Sequence, residues 1–259
     1  MLPLIDKPVI HYVVEEAIQS GIDDILIITG RGKRSIEDYF DHAPELEHYL
    51  ELQGKTEQLK KIKEVSSFAN IHYIRQKEPR GLGDAIRVAE KHVGDNPFAV
   101  LLGDDILQDK TPCTHQLLDV FKRKSASIVA VQNIPPEKIC RYGIIKGKIV
   151  EKNIMMLKEI IEKPTASEAP SDLGAIGRYV FTSGLFEYLD KTEPGLGGEI
   201  QLTDAINLLC HDQDVYTYTF QGKRYDTGDK LGYLETIVDF AIADKEISEQ
   251  FRRLLQDVV

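Results

Sequence analysis

Cysteine is scarce: Cys113, Cys140 and Cys210 are the three in a chain of 259 residues. They lie far apart, without a Cys-x-x-Cys pair or a local histidine cluster, which argues against a disulfide framework and a cysteine-based zinc site and implies a reduced, cytoplasmic protein. Long apolar runs are missing as well. No stretch approaches the ~20 residues of a membrane span, and the opening Met1 to Pro8 has neither the charged nor the apolar region of a signal peptide, so no membrane is expected. Positive charge is in deficit, with 32 Lys and Arg against 42 Asp and Glu and a formal net charge of -10. Such a field repels polyanions and argues against nucleic-acid binding. An anionic substrate must then be met by local cations or a metal. The histidines and serines form no nucleophile-base-orienter pattern, so covalent catalysis is not indicated. Internal repeats, low-complexity tracts and linkers are also absent, which leaves one domain.

What is present is an alternation of helix and strand signals. Apolar positions at helical spacing run from Pro8 to Ser20, with Gly21 placed to end the helix. A strand follows at Ile25 to Ile28, then helical segments from Lys33 to Phe40 and Glu45 to Val65. The strand Ile71 to Ile74 leads through Gln76 to Arg80-Gly81-Leu82-Gly83 and a helix near Asp84 to His92. Further strands are expected at Phe98 to Leu102, Ser127 to Val131 and Ile176 to Phe181, with a helix at His115 to Lys122 between the first two. The segment from 142 to 164 reads as a small antiparallel insertion. Glu199 to Leu209 and Leu231 to Ala243 read as helices, and Val215 to Phe220 has the polar alternation of an edge strand. The class is α/β, with a Rossmann-like mixed, mainly parallel sheet flanked by helices.

The most informative junction is where the apolar run Phe98 to Leu102 stops at Gly103-Asp104-Asp105. Five apolar residues predict a strand in the middle of a sheet, and ligands bind at the C-terminal ends of such strands. A glycine and two carboxylates there offer close backbone approach and the oxygen ligands that Mg2+ prefers, or else a solvated acidic turn. Glu162-Lys163 follows another apolar strand. The pair could meet sugar hydroxyls and a phosphate, or be a surface ion pair worth ~0-1 kcal/mol. Asp226, in Tyr225-Asp226-Thr227-Gly228, is a second metal-facing carboxylate or a capping residue. Arg80-Gly81-Leu82-Gly83 could bring the backbone close to a nucleobase, although a lone pair of glycines is weak evidence. An acid-lined strand end, an isolated lysine and glycine turns together suit metal-assisted phosphoryl or nucleotidyl transfer.

Taken in order, Met1 to Pro8, Gln76 with Gly81-Leu82-Gly83, Leu102 to Asp105, Arg141-Tyr142-Gly143, Glu162-Lys163-Pro164, Gly177-Arg178-Tyr179, Gly198 to Asp204 and Tyr225 to Gly228 resemble the bacterial-type UTP-glucose-1-phosphate uridylyltransferases. The likeness covers essentially the whole chain. It implies an enzyme of the nucleotide-diphospho-sugar transferase type that makes UDP-glucose and pyrophosphate from UTP and glucose 1-phosphate with Mg2+. By resemblance, Gln76 and Gly81 would contact uracil, Asp104 would bind the metal and nucleotide, and Asp226 would be a second metal ligand. Gly143, Glu162 and Asp172 would hold the glucose, and Lys163 would touch its phosphate. A homo-oligomer is implied too, with the segments from Lys33 to Val65 and from Asp239 onward as subunit contacts.

Two departures accompany the likeness. The family's first strand, its Gly-x-Gly-Thr-Arg turn and the following lysine have no counterpart after Met1, so the expectation is one nucleotidyltransferase domain over 1–259 that is incomplete at its N-terminus. Asp172 stands where the family usually has Asn, which keeps an acceptor beside the sugar and loses a donor. Two rivals follow: a catalytically inactive sugar-nucleotide-binding or oligomerisation protein, and a related transferase for another sugar 1-phosphate.

Overall fold

The computed structural model describes residues 1–258. The chain opens with a two-residue hairpin, β1 (Pro3–Leu4) and β2 (Lys7–Pro8), and then α1 (Val9–Gln19). Next come β3 (Asp24–Thr29), α2 (Arg34–Phe40), α3 (Pro44–Leu52), α4 (Thr56–Ser66) and β4 (Asn70–Arg75). Short helices α5 (Leu82–Arg87) and α6 (Glu90–Val93) precede β5 (Phe98–Leu101), β6 (Asp105–Gln108), α7 (Cys113–Lys124) and β7 (Ser127–Asn133). A 3-10 turn over Pro136–Arg141 leads into the hairpin β8 (Gly143–Glu151) and β9 (Ile154–Glu162), followed by β10 (Leu173–Phe181) and α8 (Leu185–Lys191). The chain finishes with α9 (Leu202–Asp212), β11 (Val215–Thr219), β12 (Lys223–Asp226), α10 (Lys230–Ala243) and α11 (Ser248–Val258).

Six strands form a mixed sheet in the order β5-β10-β7-β11-β9-β8, and β3-β4, β6-β12 and β1-β2 form two-stranded sheets. The helix-strand alternation suggested parallel pairing, and this holds for β3 with β4 and β7 with β11. The other pairings are antiparallel, because β10 runs against both β5 and β7, and the β8-β9 hairpin joins the sheet through β11. β7 shows why its sequence is an unbroken apolar run. Val129 and Val131 pack toward α8 and α9, while Ile128 and Ala130 pack toward α7. Both faces are covered, so alternation between polar and apolar residues disappears.

Four sequence readings are corrected. The helix expected over Glu45 to Val65 is two helices, broken where Gly54 takes φ +65, a conformation that L side chains avoid. The helix near Asp84 to His92 is also two, because Ala89 bonds back to Ile86 in a tighter turn that ends the first. β5, read as central and buried on both faces, is half-buried and pairs with β10 alone among the described residues. β11, read as an edge strand, lies inside the sheet between β7 and β9. Its threonine pattern misled because Thr217 is fully buried with the bulk of a valine, while Tyr218 and Tyr216 reach polar partners with their hydroxyls, Gln116 at 2.8 Å and Asp214 at 3.3 Å.

Candidate active site

β5 ends at Leu101, and the turn that follows separates two carboxylates that the sequence sets side by side. Asp105 begins β6 and turns inward, where its Oδ2 accepts the Gly177 N–H at 2.9 Å and its Oδ1 accepts the Arg224 Nε–H at 2.8 Å. Asp104 stays exposed. The pairing of β6 with β12 places Asp226 opposite Asp105, and the Thr227 N–H and hydroxyl both donate to the Asp104 carbonyl, at 2.8 and 2.7 Å. Asp104 and Asp226 thereby flank Gly228. A Cβ built on Gly228 would meet Asp104 Oδ2 at 2.9 Å and Asp226 Oδ1 at 3.1 Å. Partial desolvation and then the charges of Asp105 and Asp226 raise the pKa of Asp104, as expected where carboxylates accumulate. Hard oxygen donors with unbalanced negative charge fit a divalent cation such as Mg2+.

A second group forms where β9 leaves the sheet. Gly143 pairs with Glu162, and Lys163 takes φ +46, an uncommon conformation for a residue with a side chain. The backbone is held there by the Lys163 N–H bonded to the Tyr142 carbonyl at 3.0 Å, and Lys163 Nζ lies 3.4 Å from Glu162 Oε1. Tyr142 connects this group to the first. Its hydroxyl donates to Asp226 Oδ2 at 2.8 Å and accepts from Arg224 at 2.9 Å, and the Arg224 guanidinium stacks on its ring 4.9 Å from the centroid. Burial disfavours the Arg224 charge, but Asp105 and Tyr142 outweigh it and raise its pKa.

A third group lies at the end of β4. The Gln76 amide donates to Asp84 Oδ2 at 2.8 Å and to the Gly81 carbonyl at 3.3 Å. Gly81 has φ +97, and a Cβ there would press to 2.8 Å from the Ile200 carbonyl. Main-chain bonds from Gly83 N to Ile200 O (2.9 Å) and from Ile200 N to Arg80 O (2.7 Å) stitch this loop to the segment entering α9. Thr203, the second residue of α9, packs against Gly143, whose added Cβ would meet Thr203 Cγ2 at 2.9 Å. The contacts thus fall into linked groups: Gln76, Gly81 and Ile200; Thr203, Gly143, Glu162 with Lys163 and Tyr142; and, reached from Tyr142, Asp226 with Asp104 beside Gly228. A depression of about 480 Å³ lined by Lys146, Lys158, Glu159, Asn207 and His211 contains none of them.

The chain matches the nucleotidyl transferase family model over residues 1–241. It is 53% identical over 250 residues to the UTP-glucose-1-phosphate uridylyltransferase of Bacillus subtilis (strain 168), covering 96% of this chain and 86% of that one. The chain belongs to the bacterial UTP-glucose-1-phosphate uridylyltransferases. The protein of the same name from Staphylococcus epidermidis is 46% identical over 258 residues, with 100% of this chain and 90% of the other covered. Among solved structures, a UTP-bound UGPase from Acinetobacter baumannii superposes with a TM-score of 0.91 at 33% identity, covering 100% of this chain and 91% of that one. A UDP-glucose pyrophosphorylase complexed with UDP-glucose gives 0.86 at 39% identity, with coverage of 94% and 90%.

Within this uridylyltransferase fold, Gln76 and Gly81 fall together, as do Gly143, Glu162 and Lys163, and Asp104 with Asp226. Asp172 lies two residues before Gly174, whose added Cβ would meet Tyr142 Cβ at 3.2 Å. Asp172 is exposed just before β10, its carbonyl accepts from Ile134 N at 2.8 Å, and its side chain makes no hydrogen bond among the described residues. Sequence reasoning assigned no role to Arg178, Glu16, Arg224 or Tyr142. Arg178 is wholly buried, donating to Glu16 and to the carbonyls of Leu102, Gly177 and Asp105, so it holds both sides of the acidic turn. A lone arginine within the apolar run from Ala175 to Phe181 was the available signal, since a buried charge demands partners.

Proposed function

We propose that the chain transfers a uridylyl group from UTP to glucose 1-phosphate, giving UDP-glucose and pyrophosphate, on the face that carries these groups. The observation that carries the reading is the convergence of Asp104 and Asp226 beside Gly228, joined through Tyr142 to Glu162 and Lys163. An oxygen of the sugar phosphate attacks the α-phosphorus of UTP, the bond from that phosphorus to the β-phosphate's bridging oxygen breaks, and pyrophosphate leaves with the electron pair. Asp104 and Asp226 would hold Mg2+, which supplies neutralisation of phosphate charge. Lys163 offsets the charge on the sugar phosphate, and its left-handed backbone keeps the ammonium beside Glu162, which accepts from sugar hydroxyls. Gln76 and the Gly81 backbone face the uracil edge, where the Asp84 bond fixes which way the Gln76 amide points. Catalysis is then positioning and electrostatics, without a covalent intermediate. We also infer a homo-oligomer, supported by α11, which buries no residue and leaves Leu254 and Val258 exposed.

The test is pyrophosphate release from UTP and glucose 1-phosphate with Mg2+, repeated with EDTA, with other sugar 1-phosphates and with Asp104→Asn. Turnover that needs the metal and glucose 1-phosphate, and that is lost in a folded Asp104→Asn protein, is expected. UDP-glucose binding without turnover would replace this reading with that of an inactive binding protein. Equal rates with several sugars would replace it with a less selective transferase.

A further inference from the structure

Asp24, His72 and His92 converge away from the candidate active-site residues. β3 and β4 pair in parallel with Asp24 beside Asn70 and Leu26 beside His72. Because residues two apart on a strand share a face, Asp24 and His72 emerge on the same side as diagonal neighbours. α6 brings His92 against them, its ring 5.0 Å from the His72 ring between centroids. One carboxylate oxygen serves both imidazoles: Asp24 Oδ1 is 3.3 Å from His92 Nε2 and 3.6 Å from His72 Nε2. All three ligand atoms lie within 4.8 Å of one another.

These separations have a meaning beyond ion pairing. Tetrahedral Zn2+ with bonds of ~2.0-2.1 Å spaces its ligand atoms about 3.3-3.4 Å apart. Two of the three separations already stand near that value, so small rotations of exposed side chains complete the set. Exposed histidine-carboxylate pairs are worth little by themselves. Two imidazole nitrogens and one carboxylate are, by contrast, a donor set that favours Zn2+ and its neighbours over the hard Mg2+ suited to Asp104 and Asp226. We propose that Asp24, His72 and His92 form a transition-metal site of the Zn2+ class, with its fourth position open to water. His72 lies four residues before Gln76, roughly 13 Å along an extended strand at ~3.3 Å per residue, so the site is separate from Gln76. It joins β3, β4 and α6 and clips the base of the platform from which Gln76 and the Gly81 loop project.

The experiment titrates Zn2+ alone into untagged, EDTA-stripped, buffer-exchanged protein by calorimetry, with Co2+ as a spectroscopic probe of coordination. Wild type, His72→Ala, His92→Ala and Asp104→Asn are compared. One equivalent of Zn2+ bound by wild type and by Asp104→Asn, a tetrahedral Co2+ absorption, and at least ~10-fold weaker binding in each histidine variant are expected. Zn2+ should also raise the melting temperature of wild type but not of the histidine variants, whose Mg2+-dependent turnover without Zn2+ stays at the wild-type level. Absence of saturable one-equivalent binding, or equal affinity in the histidine variants, overturns the proposal.

Discussion

Arg178 and Glu16, 162 residues apart in the chain, meet in the interior: Arg178 Nε and Nη2 both donate to Glu16 Oε2, at 3.0 and 2.8 Å. Arg178 is 0% exposed and Glu16 6%. The other Glu16 oxygen accepts from the Thr114 N–H and hydroxyl, so three elements, α1, α7 and β10, share one carboxylate. Removing either charge strands the other in the core. Glu16→Ala should cost ~3-5 kcal/mol of unfolding free energy in urea titration, while Glu16→Leu combined with Arg178→Met should recover much of that loss. Because Arg178 also holds the carbonyls of Leu102 and Asp105, the double variant should regain stability but not full turnover. A Glu16→Ala protein as stable as wild type would show that the pair carries no such role.

The buried pair also marks the boundary of what the sequence could reveal. The strand ends Gly103-Asp104 and Glu162-Lys163 were legible because apolar runs stop abruptly at charged residues, and the structure joins Glu162 to Gly143 by strand register. The division of labour between Asp104 and Asp105 was not legible. It depends on the register of β6 against β12, which brings Arg224 to Asp105 across 119 residues of chain. The interior position of β11 was hidden for a related reason: a buried threonine reads as polar in sequence, and its burial is decided by neighbours contributed from β7 and β9.

Lys163 stands at the end of β9 in a left-handed conformation, half-exposed and paired with an accessible carboxylate. Such a pair contributes little to stability, so Lys163→Met should leave the unfolding free energy within ~0.5 kcal/mol of wild type. Turnover is a different matter on the proposed role, in which the Lys163 ammonium meets the sugar phosphate and acts on the transition state. The expected fall in kcat is on the order of 10²-10³, read from steady-state pyrophosphate release. A kcat within twofold of wild type would remove Lys163 from the reaction.

Gly81 combines a backbone angle open to glycine with a neighbour that leaves no room for a methyl group: φ is +97 and the Ile200 carbonyl would lie 2.8 Å from the new Cβ. Gly81→Ala should therefore cost at least ~1-3 kcal/mol from backbone strain, and the clash with a main-chain oxygen adds to it. Displacement of the loop carries the Gly81 carbonyl away from the Gln76 amide, and UTP affinity should fall. Denaturation and UTP titration measure the two effects separately. Unchanged values in both would mean that the loop relaxes freely and does not hold the nucleotide.

His11 supplies the pH dependence. It is buried on α1, with Nδ1 3.0 Å from the Tyr39 hydroxyl and Nε2 without a partner among the described residues. Burial, reinforced by the charge of Lys7 and opposed by that of Asp6, lowers its pKa from 6.5 to about 4. Between these values the unfolded chain binds a proton that the folded chain refuses, so stability falls as pH drops from about 6.5 toward about 4. Acidification from pH 7 to 5 should cost about 2 kcal/mol through this one group. His11→Phe removes the titrating ring and should shrink the difference in unfolding free energy between pH 7 and 5 by that amount, measured in urea at both pH values. Equal pH differences in the two proteins would mean that the imidazole accepts its proton in the folded state as readily as in the unfolded one.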